Sequence, residues 1–89
     1  MKNEKTIIYR DNKKTLGQAL KKVRIAKGYT EQYVALECQM DPANICEIEH
    51  GNKNVCYDTI LRLLDVYGIT VWEFFNDEMF KEGLARAGK

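Results

Sequence analysis

The sequence predicts an all-α domain of five short helices. Three observations lead there. Apolar residues recur at spacings of three and four along most of the 89-residue chain. Helix-start residues (Thr15, Thr30, Asp41-Pro42, Thr70) stand before these stretches, and glycines (Gly28, Gly51, Gly68) stand after three of them. No segment alternates apolar and polar residues over the length of a strand, and no repeat or low-complexity stretch interrupts the pattern.

The elements follow in order. Residues 1–14 are polar and basic except for Thr6-Ile7-Ile8-Tyr9, and read as an N-terminal arm with at most a short extended stretch. Thr15-Leu16-Gly17-Gln18 fits a capping box. Leu16, Ala19, Leu20 and Val23 then form the inner stripe of a first helix that Gly28 ends. Thr30 caps a second helix with Val34, Ala35 and Cys38 inward, stopping near Gln39 and Met40. Asp41-Pro42 restarts the chain: aspartate accepts from free N–H groups and proline is pre-set for the first helical position. Ile45 and Ile48 face inward on this third helix, which Gly51 ends. A turn-rich loop, Gly51-Asn52-Lys53-Asn54, leads to a fourth helix over about 57–66 with Ile60, Leu61, Leu63, Leu64 and Tyr67 as apolar positions. Thr70-Val71-Trp72-Glu73 is a second capping box and opens the fifth helix. Beyond it, Met79, Phe80 and Leu84 keep helical spacing, weakened by Gly83 and Gly88. The expected organisation is therefore an arm (1–14), a helical domain (15–76) and a short C-terminal extension (77–89).

Size and charge limit the function. One small domain fits, and a chain this short buries only about 60–65% of its unfolded surface, so a partner would help it. The formal net charge is +1 and 45% of residues are hydrophobic, which suits a soluble folded domain. No apolar run approaches the roughly 20 residues of a membrane span, so no membrane partner is expected. Charge is unevenly placed. Residues 16–28 hold Lys21, Lys22, Arg24 and Lys27 and no acid, whereas residues 29–51 hold Glu31, Glu37, Asp41, Glu47 and Glu49 and no Lys or Arg. The N-terminal third can face an anion; the middle third cannot do so by charge alone.

Two short helices joined by a turn of about four residues make a helix-turn-helix. The run Leu16 to Phe75 resembles the Cro/cI-type (XRE) helix-turn-helix family of phage repressors. The strings that carry the resemblance are Gly17-x-x-Leu20-x-x-x-Arg24, Gly28-Tyr29-Thr30, Val34-Ala35, Met40-Asp41-Pro42-Ala43-Asn44-Ile45-Cys46-Glu47-Ile48-Glu49-x-Gly51, Thr59-Ile60-Leu61-Arg62-Leu63 and Gly68-Ile69-Thr70-Val71. The resemblance implies a lambda-repressor-like domain that binds duplex DNA as a sequence-specific transcriptional regulator, with the third helix (about 42–50) in the major groove. By position, Asp41, Ala43, Asn44 and Glu47 would contact base edges: Asn44 suits adenine, Glu47 or Asp41 cytosine N4, and Ala43 a thymine methyl. Plainer roles stand beside these, Asp41 as an N-cap, Pro42 as a first-turn residue and Ala43 as a helix former.

Phosphate contacts would come from Thr30 and Gln32 at the start of the second helix, from Asn52, Lys53 and Asn54, and from Lys13 and Lys14 in the arm. The resemblance further implies a partly buried ion pair between Arg24 and Glu49, and a homodimer. Trp72, Phe75, Met79 and Phe80 are the candidate dimer interface, with the tail folding back over Trp72 as the other account of the same residues; Val71 and Phe74 would face the core. Two positions depart from the family. Glu31 stands where the family usually has Gln, and Gln39 where it favours Gly, so Gln39 must adopt a left-handed conformation at about 1 kcal/mol or the turn must differ. These departures and the acidic middle segment motivate an alternative: a protein-interaction module on the same fold, antitoxin-like or an accessory regulator, with a protein partner and weakened DNA binding.

Other chemistry has little support. Cys38, Cys46, Cys56 and His50 hold metal-ligating atoms but lack ligand spacing, so they read as structural thiols and no metal or cofactor is expected. An odd cysteine count without a CxxC pair suits a reducing cytoplasm. No Gly-rich phosphate loop, HExxH or GxSxG occurs, and no enzyme is expected.

Overall fold

The computed structural model describes residues 4–76, with side-chain environments from Arg10 onward. Among the described residues the chain is all-helical: α1 Glu4–Ala26, α2 Glu31–Cys38, α3 Pro42–Glu49, α4 Tyr57–Tyr67 and α5 Val71–Phe75. The C-terminal extension (77–89) lies outside the described residues, and the five helices expected for the domain are present. The first one begins far upstream of its expected start. Residues 4–14, read as part of an N-terminal arm, form the first half of α1, and Thr15 lies in its interior rather than capping it. Nothing in 4–14 breaks a helix: there is no Gly or Pro, and Glu4, Lys5, Arg10, Lys13 and Lys14 are good helix formers or favour the ends they occupy.

Local chemistry sets the other boundaries. Thr30 Oγ1 accepts from the Tyr33 N–H at 3.0 Å. Asp41 Oδ1 accepts from the Ala43 N–H at 2.9 Å, with Pro42 opening the first turn. Thr70 and Glu73 complete a reciprocal capping box, both bonds 3.1 Å. α1 to α4 all end in the same way. A left-handed residue donates back to the carbonyl three residues earlier, and the next residue donates to the carbonyl five earlier. The left-handed residue is glycine at 28, 51 and 68 and glutamine at 39, which takes φ 56° and ψ 47°.

α1, α2, α3 and α4 enclose a core of Ala19, Leu20, Val34, Ala35, Cys38, Ile45, Ile48, Ile60, Leu63, Leu64 and Tyr67, which Phe74 of α5 closes. Val71, expected inward, is substantially exposed, because Phe74 alone fills the inward position of this five-residue helix. Leu61 likewise faces outward from α4.

Two contacts fix α3 from behind. Gly17 of α1 lies against the last carbonyls of α3: a Cβ there would meet Ile48 O at 2.4 Å and Glu49 O at 2.6 Å. Glu49 is buried at 4% exposure and receives a fork from Arg24, Nε to Oε2 at 2.7 Å and Nη2 to Oε1 at 3.1 Å. Arg24 Nη1 also donates to Tyr29 O at 2.9 Å, so one guanidinium joins α1, α3 and the α1–α2 turn. The hydrogen bond that Arg24 donates to Glu49, the largest cause, and the charges of Glu49 and Glu31 hold the guanidinium above its ordinary pKa despite burial. Glu31, half-buried in the first turn of α2, thus contributes to the field on Arg24.

Candidate functional site

α2 and α3 cross through the turn Gln39-Met40-Asp41 and pack together. α3 has two unlike sides. Ile45, Ile48 and Glu49 are buried, while Ala43 and Glu47 are exposed and Asn44 is half-buried. These three are spaced one, three and four apart, so they occupy one outward face of the helix. Asp41 stands at its tip, its carboxylate engaged with the Ala43 N–H.

One side-chain bond crosses from this face to the following loop. The Lys53 ammonium donates to Asn44 Oδ1. Lys53 also borders a cleft with Lys13, Leu16, Ile48, Asn54 and Val55. Gly51 rests on α1 so closely that a Cβ would come 2.9 Å from Lys14 Cα. The structure therefore brings Lys13 and Lys14 of α1 close to the loop at the C-terminal end of α3, from which Lys53 reaches Asn44 in the first turn of that helix. Thr30 and Gln32 lie apart from this cluster in sequence, at the exposed start of α2, where the Thr30 hydroxyl is engaged as a cap.

Solved structures place this arrangement among known proteins. The restriction-modification controller protein C.AhdI from Aeromonas hydrophila shares 30% sequence identity, with 72% of this chain and 97% of that one covered and a TM-score of 0.68. The chain belongs to the Cro/cI-type helix-turn-helix family. The clp gene regulator ClgR from Corynebacterium glutamicum matches at 25% identity over 85% of this chain and 80% of that one, TM-score 0.75. The wild-type controller protein C.Esp1396I, at 22% identity, 80% and 88% coverage and a TM-score of 0.69, shares the fold. No protein-family model matches the sequence, and no curated protein matches it. These structural neighbours of the family are regulators.

In this member of the family the remaining candidate residues separate clearly. Trp72 is 74% exposed, and Val71 and Phe75 lie exposed beside it on α5. Met79 and Phe80 lie outside the described residues. The three thiols have three environments. Cys38 is buried in the core, and desolvation pushes its thiol pKa up. Cys46 Sγ lies 3.5 Å from His50 Nδ1, which also sits 2.8 Å from Cys46 O; a carbonyl only accepts, so Nδ1 carries the proton. Cys56 is exposed at the start of α4, and its hydrogen bond with Thr59 Oγ1 at 3.2 Å pulls its thiol pKa down. Among the described residues no three His, Cys, Asp or Glu side chains gather as a metal site, and no helix is long and apolar enough to cross a membrane.

The Asn44–Lys53 bond and the Gly17 contact are what residue-by-residue reading missed. The glycine inside an otherwise helical pattern was the signal for the second. Nothing in the sequence signals the first, because it spans nine residues and a loop.

Proposed function

We propose that the protein is a cytoplasmic, sequence-specific duplex-DNA-binding transcriptional regulator that places the outward face of α3 in the major groove. The observation that carries this reading is the juxtaposition of that face with the Lys13, Lys14 and Lys53 cluster. Base edges need short polar and apolar groups on an exposed helix face, and the phosphates beside the groove need cations at its rim. Asp41, Ala43, Asn44 and Glu47 are the base-facing set. Thr30, Gln32, Asn52, Lys53, Asn54, Lys13 and Lys14 are the backbone-facing set. Asp41 serves mainly by capping α3, which leaves Ala43, Asn44 and Glu47 to discriminate. The exposed Val71, Trp72 and Phe75 support a homodimer through α5, which would present two copies of α3 to a palindrome.

The test is fluorescence-anisotropy selection from a randomised duplex pool at several salt concentrations. Enrichment of a palindrome, with log K falling by about 0.9 per phosphate contact against log salt, is the expected result. Absence of binding at low salt would overturn it.

One observation favours the protein-interaction alternative. Leu36 on α2 is 76% exposed, as open as Trp72 of α5 at 74%. On that reading a protein captured through Leu36 or Trp72 would bind equally well with Asn44 and Glu47 changed to alanine.

A further inference from the structure

The Asn44–Lys53 bond carries a consequence for which base is read; this inference rests on the DNA-binding function proposed above. An asparagine alone suits adenine. Its Oδ1 accepts from adenine N6 while its Nδ2 donates to N7. Here Oδ1 already accepts from the Lys53 ammonium. An ammonium has three donors and no acceptor, so the amide must turn its oxygen toward Lys53 and its NH2 away. The remaining lone pair of Oδ1 then lies beside a positive charge, so the two side chains present mainly N–H donors to whatever approaches. The adenine amino group would have to reach an oxygen with a positive charge at hydrogen-bond distance. Guanine presents two acceptors, O6 and N7, and meets no such conflict.

The arrangement is held from both ends. Asn44 lies in the first turn of α3, its own N–H bonded to Asp41 O at 2.9 Å. Lys53 comes from a loop anchored by Gly51 on α1, and it borders the cleft that Leu16, Ile48 and Val55 line. Its ammonium thus ends at the reading face of α3 beside Asn44.

We infer that Asn44 and Lys53 act as one composite donor that selects guanine in the major groove, so that Lys53 reads a base edge rather than a phosphate. Given the discrimination of a good bidentate contact, the preference for guanine over adenine at one position is about tenfold.

The experiment uses the duplex enriched by the wild-type protein. Each base pair is varied in turn and Kd is measured at fixed salt for the wild type, Lys53→Met, Lys53→Arg and Asn44→Ala, with far-UV circular dichroism confirming that each variant is folded. The expected result is a single position where the wild type prefers guanine by about tenfold. Lys53→Met lowers or reverses that preference at this position alone, as the freed amide accepts adenine, and Lys53→Arg keeps it. Asn44→Ala weakens discrimination at the same position. If Lys53→Met instead weakens binding to every sequence alike and reduces the salt slope by about one contact, Lys53 is a phosphate ligand. The inference then falls while the regulator function stands. If no duplex is enriched by the wild type, the proposed function falls and takes this inference with it.

Discussion

Gln39→Gly should make the protein more stable, although it removes a side chain of five heavy atoms beyond Cα. Gln39 is exposed and sits at φ 56° and ψ 47°, where its N–H closes the end of α2 on Leu36 O at 3.2 Å and the Met40 N–H follows on Ala35 O at 2.9 Å. The ends of α1, α3 and α4 make the same pair of bonds with glycine at φ 76°, 72° and 71°. The molecule thus contains three controls for its own exception. A left-handed backbone costs an L-residue about 1–2 kcal/mol. Glycine returns part of that, about 0.5–1 kcal/mol, through the greater freedom of the unfolded chain. The net gain is about 0.5–1 kcal/mol, which for a domain of this size raises Tm by about 2–8 °C. Thermal and urea unfolding followed by far-UV circular dichroism would measure it, with the urea slope unchanged. An equal or lower Tm would refute the reasoning, since it would mean that the glutamine side chain contributes as much as the strain costs.

The remaining predictions concern the back of α3 and the thiols. Gly17→Ala is the opposite case: its Cβ would enter within 2.6 Å of two α3 carbonyls, so the helices must separate, and urea unfolding should show a loss of about 1–3 kcal/mol. Glu49→Gln leaves Arg24 buried against a neutral partner and should cost about 3–5 kcal/mol, whereas Arg24→Met with Glu49→Leu should recover most of that loss. Cys38 has a raised thiol pKa, so the unfolded chain ionises first. Its contribution to stability is complete below the ordinary value of 9.0 and is lost as pH rises through the folded value, which alkaline urea titration of wild type against Cys38→Ala would detect. A thiol-reactive chromogenic disulfide should modify Cys56 first and Cys38 only on unfolding, and Thr59→Val should slow the reaction at Cys56.

The parts of the fold that were legible in the sequence are those set by local chemistry. Thr30, Asp41-Pro42 and Thr70 cap within two or three residues of themselves, and Gly28, Gly51 and Gly68 turn the chain where they stand. The start of α1 was not legible. Thr15-Leu16-Gly17-Gln18 has the composition of a capping box, but a capping residue acts only where the helix would otherwise end, and nothing upstream stops it. The β-branched run Thr6-Ile7-Ile8 suggests extended backbone, yet its lower helix propensity is small beside a helix whose later half is held by Leu16, Ala19, Leu20 and Val23 against the core. At the candidate site, the family resemblance singled out Ala43, Asn44 and Glu47, and their spacing of one, three and four puts them on one face of α3. The meeting of Lys53 with Asn44 depends on how the 51–56 loop folds back over α1. So does the approach of Lys13 and Lys14 to that loop. The exposure of Val71 escaped for a related reason: a helix of five residues has too little surface for two inward positions.

α3 is seated by what lies behind it: a glycine with no room for a methyl group, a buried carboxylate in an arginine fork and two isoleucines. None of these fixings passes through Ala43 or Glu47, and Asn44 is tied forward, to Lys53. The helix therefore behaves as a mounted cartridge, with its seat and its legend on opposite sides. The legend can be rewritten while the seat stays as it is. On the proposed function, divergence among such proteins needs only a few surface exchanges to move from one target to another, and an engineer could graft a new set at 43, 44, 47 and 53 without repacking anything beneath.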